Sequence, residues 1–465
     1  MTARATFAAF LLASCAVFAG ATSARADQPG CDSDDVATVA GSAGADASAS
    51  FWDGILVAPP PAPTPGQGPS GSVNVGSRKI TFTNHGTYVP AREDRTIINF
   101  GLKHVNAVFG GLEQGAHIGL GVELTTADSI KWVELSGTAI VSFKLYRRFE
   151  VGAYFPKIGD EKTHARVTFD YLRRTEDNFF GIGPRTSESD RTDYDRESRT
   201  YGAAIYRDFV GRLTAGVYAT IANTSIYAGQ SNDYPSTTAV FSGSPSVVPV
   251  TLFAPGLDGG SRILEYGVGV EYDARDDSRG LTRGAYLFGR LGTADGLDKA
   301  NTFSDFGWLV AEVDGRAYVP LGGDRTSFAV RGTVDVQDPK GGSQIPFYDM
   351  AYLGGRRHLR GFNTYRFRGN SAVLFSAELR RTVWAQEETK GVDVFAFNDS
   401  GAVWGDNRST TNPTVLENDE LRGRNWRFGF GGGVQYRYSK DVAVRIELAQ
   451  SNEKTAFYFS ISRGF

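Results

Sequence analysis

Residues 441–448 alternate without a break: Val442, Val444, Ile446 and Leu448 are apolar, and Asp441, Ala443, Arg445 and Glu447 fall between them. Successive residues of a β-strand point to opposite faces, so this run predicts a strand with one apolar and one polar side. The same separation recurs at 264–273, where Leu264, Tyr266, Val268, Val270 and Tyr272 oppose Glu265, Glu271, Asp273 and two glycines. It returns at 311–319, 328–337 and 373–380, with Glu312, Asp314, Arg316, Arg331, Asp335, Glu378 and Arg380 on the polar sides. A soluble sandwich also alternates, but here the polar faces hold charges of both signs, strand after strand. That is the pattern of a barrel with a wet lumen and an outer face against lipid. The runs also match the roughly 9–11 residues that a tilted strand needs to cross a bilayer.

Counted back from the C-terminus, the pattern predicts strands near 455–465, 440–450, 426–438, 391–404, 371–385, 326–337, 306–319 and 283–293. Further back come 264–275, 212–228, 199–208, 164–174, 149–157, 136–146, 116–124 and 96–110. These are sixteen, and bacterial barrels of one chain have an even number. The expected fold is all-β, a 16-stranded antiparallel transmembrane β-barrel over 96–465. Connections at 209–211, 321–325 and 386–390 are short, whereas 229–262, 340–370 and 405–425 are long. Short turns on one side and long loops on the other suit such a barrel. A charged stretch at 187–198 reads as another long external loop.

Composition adds a leader and a tail. Arg4, the uncharged apolar run 7–21 and Ala24-Arg25-Ala26 form an export signal over 1–26. Its apolar run is too short to cross a bilayer as a helix. Residues 27–95 read as an Ala/Gly/Pro-rich tail and lead-in with too few apolar groups for a core. Loss of Arg4 and Arg25, with no acid, takes the net charge from −3 to −5. No basic excess points to nucleic acid. Cys15 falls in the signal and Cys31 in the tail, so the mature chain has no internal disulfide.

The candidate chemistry lies between 353 and 404. Leu353-Gly354-Gly355 is followed by Leu359-Arg360-Gly361-Phe362, then by Glu378-Leu379-Arg380 and Phe397-Asn398-Asp399-Ser400-Gly401. A guanidinium keeps its charge and presents a planar fork of donors, which suits bidentate pairing in a confined site. Gly361 lets the backbone turn beside it. This ordered set, with the terminal Phe465, resembles the C-terminal barrel of the BamA/TamA superfamily of outer-membrane assembly and secretion proteins. Tyr272-Asp273-Ala274-Arg275-Asp276 adds a further family-like stretch. The resemblance implies a loop folded into the lumen, with Arg360 contacting acidic groups on the wall. Asp399 matches the partner position of the Phe397-x-Asp399-x-Gly401 motif, and Glu447 and Glu378 also face the lumen by alternation. Phe457, Phe459, Ile461 and Phe465 on the lipid face resemble the C-terminal signal for barrel assembly.

The resemblance further implies residence in the outer membrane of a Gram-negative bacterium and a role in inserting or translocating client proteins. Family members usually carry periplasmic POTRA domains, and residues 27–95 are too short and irregular for one. Client capture would then need a separate periplasmic partner or the tail. A passive solute channel and a surface-exposed structural barrel are the alternatives. The five histidines have no ligand spacing, and the acidic turn Asp273, Asp276 and Asp277 does not match a calcium loop. With no nucleophile elbow or phosphate cradle, neither an enzyme nor a cofactor is expected.

Overall fold

Alternating residues become strand wherever each neighbour offers the same two-residue period. The computed structural model describes the backbone of residues 72–75, 78–85 and 95–99. From 104 to 461 it describes all but 111–118, 127–131, 210–211, 244–251, 276–282, 299–304, 324, 387–389, 406–420, 422 and 438–442. The leader, Cys31, Asp276, Asp277, Phe465 and the side chain of Ile461 lie outside the described residues.

Three strands come first: β1 (Ser72–Val75), β2 (Arg78–His85) and β3 (Arg95–Asn99). The wall continues with β4 (Val105–Gly110), β5 (Gly119–Thr125), β6 (Glu134–Ser142), β7 (Arg147–Phe155), β8 (Thr163–Phe179) and β9 (Thr192–Asp208). Next are β10 (Leu213–Ala228), β11 (Ser261–Asp273), β12 (Gly284–Gly296), β13 (Gly307–Pro320) and β14 (Thr326–Pro339). A small separate hairpin, β15 (Ala351–Leu353) and β16 (Phe367–Gly369), precedes β17 (Ser371–Ala385) and β18 (Gly391–Trp404). The last are β19 (Arg427–Arg437), β20 (Ala443–Gln450) and β21 (Thr455–Ile461). Each wall strand pairs antiparallel with the next in sequence, and β14 pairs with β17 across the inserted hairpin. With β15 and β16 set aside, the sheet has nineteen strands among the described residues: β4 to β21 are the sixteen of a transmembrane β-barrel, and β1 to β3 extend the sheet through pairing of β3 with β4.

Two expected boundaries change. The single strand over 96–110 is two, β3 and β4, because His104 takes a left-handed φ of 70° and turns the chain. The stretch 187–198 is not all loop: a 3₁₀ turn spans Glu188–Asp190 and β9 begins at Thr192. Polar residues sustain that strand, since Asp195 is buried and accepts from Arg173 Nη2 at 2.7 Å, while Thr192 donates to the Phe179 carbonyl. Alternation of apolar residues is therefore absent where ion pairs fill the inner face. The stretch read as lead-in also contains β1 and β2.

The outer face is apolar and open. Val268 of β11 is 52% exposed, and Tyr266, Val270 and Tyr272 share its row, whereas Glu271 on the other face is 4% exposed. The same inversion holds at Ile446 and Leu448 against Arg445 and Glu447. Charges are thus buried inward and large hydrophobics displayed outward, which is stable only where the outside is lipid. Inward residues pair across strands, Arg290 with Glu265 and Glu312, Arg331 with Asp314, and Arg437 with Asp393, while Arg316 pairs with Asp314 along β13. Val268→Arg, in mid-strand on the lipid face, should cost about 2–4 kcal/mol. The check is loss of the compact band in an unheated gel, with Val268→Leu retaining it.

Candidate functional site

Residues 340–370 leave the wall after β14 and fold inward before returning as β17. β15 and β16 pair in the order Ala351↔Gly369 and Leu353↔Phe367, giving the inserted segment a two-strand stem. Leu353, Leu359, Phe362 and Phe367 then pack on Ala372, Leu374 and Val403 of the wall. Burying such side chains contributes roughly 1.5–3 kcal/mol each relative to exposure, so the stem is fixed largely by apolar contact. The wall surrounds it on opposite sides. Arg174 of β8 donates from Nη1 to Tyr365 Oη at 2.6 Å, while the residues ahead of Tyr365 reach β18, β20 and β21.

At the tip, Gly361 has φ 93° and Leu359 φ 134°, and this turn directs Arg360 at the wall. Arg360 Nε and Nη2 donate to the two oxygens of Asp399, each at 2.7 Å, and its backbone N–H adds a third bond to Oδ2 at 3.1 Å. Nη1 donates to Glu447 Oε2 at 2.9 Å and lies 3.6 Å from Glu378 Oε2. The guanidinium rests on the Phe397 ring, 3.4 Å from its centroid. Burial works against its charge, but Asp399, Glu447 and Glu378 more than offset this and raise its pKa.

The wall is prepared for that charge. Arg445 donates from Nη2 to Glu378 Oε2 at 2.6 Å and to Glu447 Oε2 at 3.1 Å, and Arg380 reaches Glu378 Oε1 at 2.7 Å. Three arginines therefore face three carboxylates, all nearly sealed from solvent. A buried cluster of this kind fixes geometry more than it adds net stability. Space comes from the glycine run of β19. A Cβ at Gly429 would lie 1.9 Å from the Arg360 carbonyl oxygen, and the rings of Phe397 and Phe395 lie over Gly431 and Gly433. Gly401 lies against Leu353, at the stem.

Further bonds tie the same loop to the last hairpin. Gly361 N–H donates to Tyr458 Oη at 3.1 Å, Ser451 Oγ donates to the Gly361 carbonyl at 2.7 Å, and Lys454 bonds Asn363. Arg366 pairs with Glu453.

Thus Leu359, Arg360, Gly361 and Phe362 meet Glu378, Phe397, Asp399 and Glu447 in one inner-wall site. Phe457 and Phe459 stand on the open outer face. Sequence reasoning missed Arg445 as a member and gave Arg380 of the motif no role, although each lies two residues from Glu447 or Glu378 and so on the same strand face. It also missed Arg366 and Glu453, which belong to connections where no period operates.

The fold and site define a transmembrane β-barrel with an arginine-bearing loop pinned inside its lumen. The model of the Omp85 superfamily domain matches residues 118–465, and the chain belongs to that superfamily. Among solved structures it is similar in fold to BamA from Haemophilus ducreyi lacking POTRA domains 1–3. The identity is 14%, the TM-score 0.55, and the match covers 82% of this chain and 73% of that one. It is also similar to CdiB from Escherichia coli, at 12% identity and a TM-score of 0.51, over 84% of this chain and 68% of that one. Comparison with curated proteins finds no match.

Proposed function

We propose that the chain inserts or translocates other proteins at the outer membrane, without enzymatic chemistry, using the edge of its last strand. The observation that supports this most is the state of β21. Among the described residues it pairs with β20 alone, and a cleft of about 450 Å³ runs along Thr455, Ala456, Phe457 and Tyr458. The other side of the cleft includes Lys144, between β6 and β7, and Glu176 of β8. Strand edges present unpaired N–H and C=O groups, which an extended client segment can satisfy. Arg360 and its wall partners hold the loop beside that edge and so set its position.

A passive channel is the poorer reading. The loop occupies the lumen, and Phe179, Phe241, Leu257, Ile345 and Phe347 form an apolar cluster among the wall and its long connections. A photo-crosslinking residue at Thr455 should trap exported polypeptides in growing cells, while one at Val268 on β11 should not. Adducts with lipid alone at both positions would remove the reading.

A further inference from the structure

We propose that Arg366 is a latch on the last hairpin, and that the β20–β21 turn and β21 come free of the β8–β9 connection only when this contact opens. The inference rests on the assembly reading and names what restrains the strand beside the cleft. Arg366 is 1% exposed, and its guanidinium joins two connections far apart in sequence. On one side Nε and Nη2 donate to the two carboxylate oxygens of Glu453, each at 2.8 Å. On the other, Nη1 donates to Thr186 Oγ1 at 2.8 Å and Nη2 to the Thr186 carbonyl at 2.7 Å. The rings of Phe180 and Phe367 cover it, with centroids 4.9 and 4.5 Å away.

Position gives the contact its consequence. Glu453 lies in the turn between β20 and β21, and Thr186 in the connection between β8 and β9. Since β21 has β20 as its one strand partner among the described residues, side-chain contacts must hold the far side of this hairpin. A bidentate arginine–carboxylate pair is directional, and once its fork is misaligned both bonds are lost together. Arg366 is therefore a positioning residue with two discrete arrangements, closed on Glu453 or released. Release of the turn need not dismantle the Arg360 site, since Glu378, Asp399 and Glu447 lie on β17, β18 and β20, outside the turn.

Hydrogen exchange of the full chain in lipid nanodiscs tests this, comparing the natural protein with Arg366→Gln, Arg366→Lys and Glu453→Gln. In Arg366→Gln the amides of 451–461 and 185–188 should exchange together, about tenfold or more faster, with β11 to β13 unchanged. Lysine should not rescue, since a point charge cannot form the fork. Glu453→Gln should give the same pattern at smaller amplitude, and it decides the matter if the arginine variants do not accumulate. Unchanged exchange at 451–461 would overturn the latch. So would acceleration spread over the whole barrel, which would make Arg366 a general support of the fold. No client is needed, so failure here leaves the cross-linking result at Thr455 to judge the assembly reading separately.

Discussion

Arg360→Ala should destabilise the barrel by about 3–5 kcal/mol, because it leaves buried carboxylates without their counter-charge. Asp399 loses its two side-chain hydrogen bonds and Glu447 one, while the Phe397 ring loses the cation above it. The backbone bond from Arg360 survives only if the loop stays in place. Arg360→Lys should recover little, since a compact ammonium cannot span both Asp399 oxygens and also reach Glu447. The expected result is lower abundance, loss of the compact unheated gel band and new protease cleavage within residues 340–370. Arg360→Ala combined with Asp399→Asn should be less harmful than the sum of the two single changes, because groups in one network do not act independently. Equal abundance and an intact loop in Arg360→Ala would show that the cluster is incidental.

Gly429→Ala should release the same loop without touching a charge. The added methyl group would lie 1.9 Å from the Arg360 carbonyl oxygen, a backbone atom with no rotamer to escape into. Either β19 or the loop must move, and overpacking of this sort typically costs about 1–3 kcal/mol or more. Arg360, Asp399 and Glu447 all remain, so the phenotype should match Arg360→Ala in loop proteolysis although the charge balance is unchanged. A structure of Gly429→Ala with the Arg360–Asp399 bonds still near 2.7 Å would contradict the packing argument.

The wall was largely legible because lipid outside and charge inside force a two-residue period. Val268 and Ile446 announce the outer face, and Glu271 and Glu447 the inner one. Arg360, Asp399 and Glu447 could be proposed because a motif and a strand phase each placed them. The beginning of β9 was hidden, since Asp193, Tyr194 and Asp195 are all buried and no apolar alternation marks them. Arg366, Glu453 and Thr186 lie in connections, where their meeting depends on the closed tertiary arrangement. The role of Gly429 was similarly obscure: a glycine run suggests close packing, but not which backbone approaches it.

The outer-membrane proteome of cells with and without this protein tests the central claim most directly. Selective loss of several unrelated barrels or exported proteins, restored by the natural chain but not by Arg360→Ala made at equal abundance, is the predicted result. An unchanged proteome, with steady ion conductance from the purified barrel, would contradict the account and favour a channel.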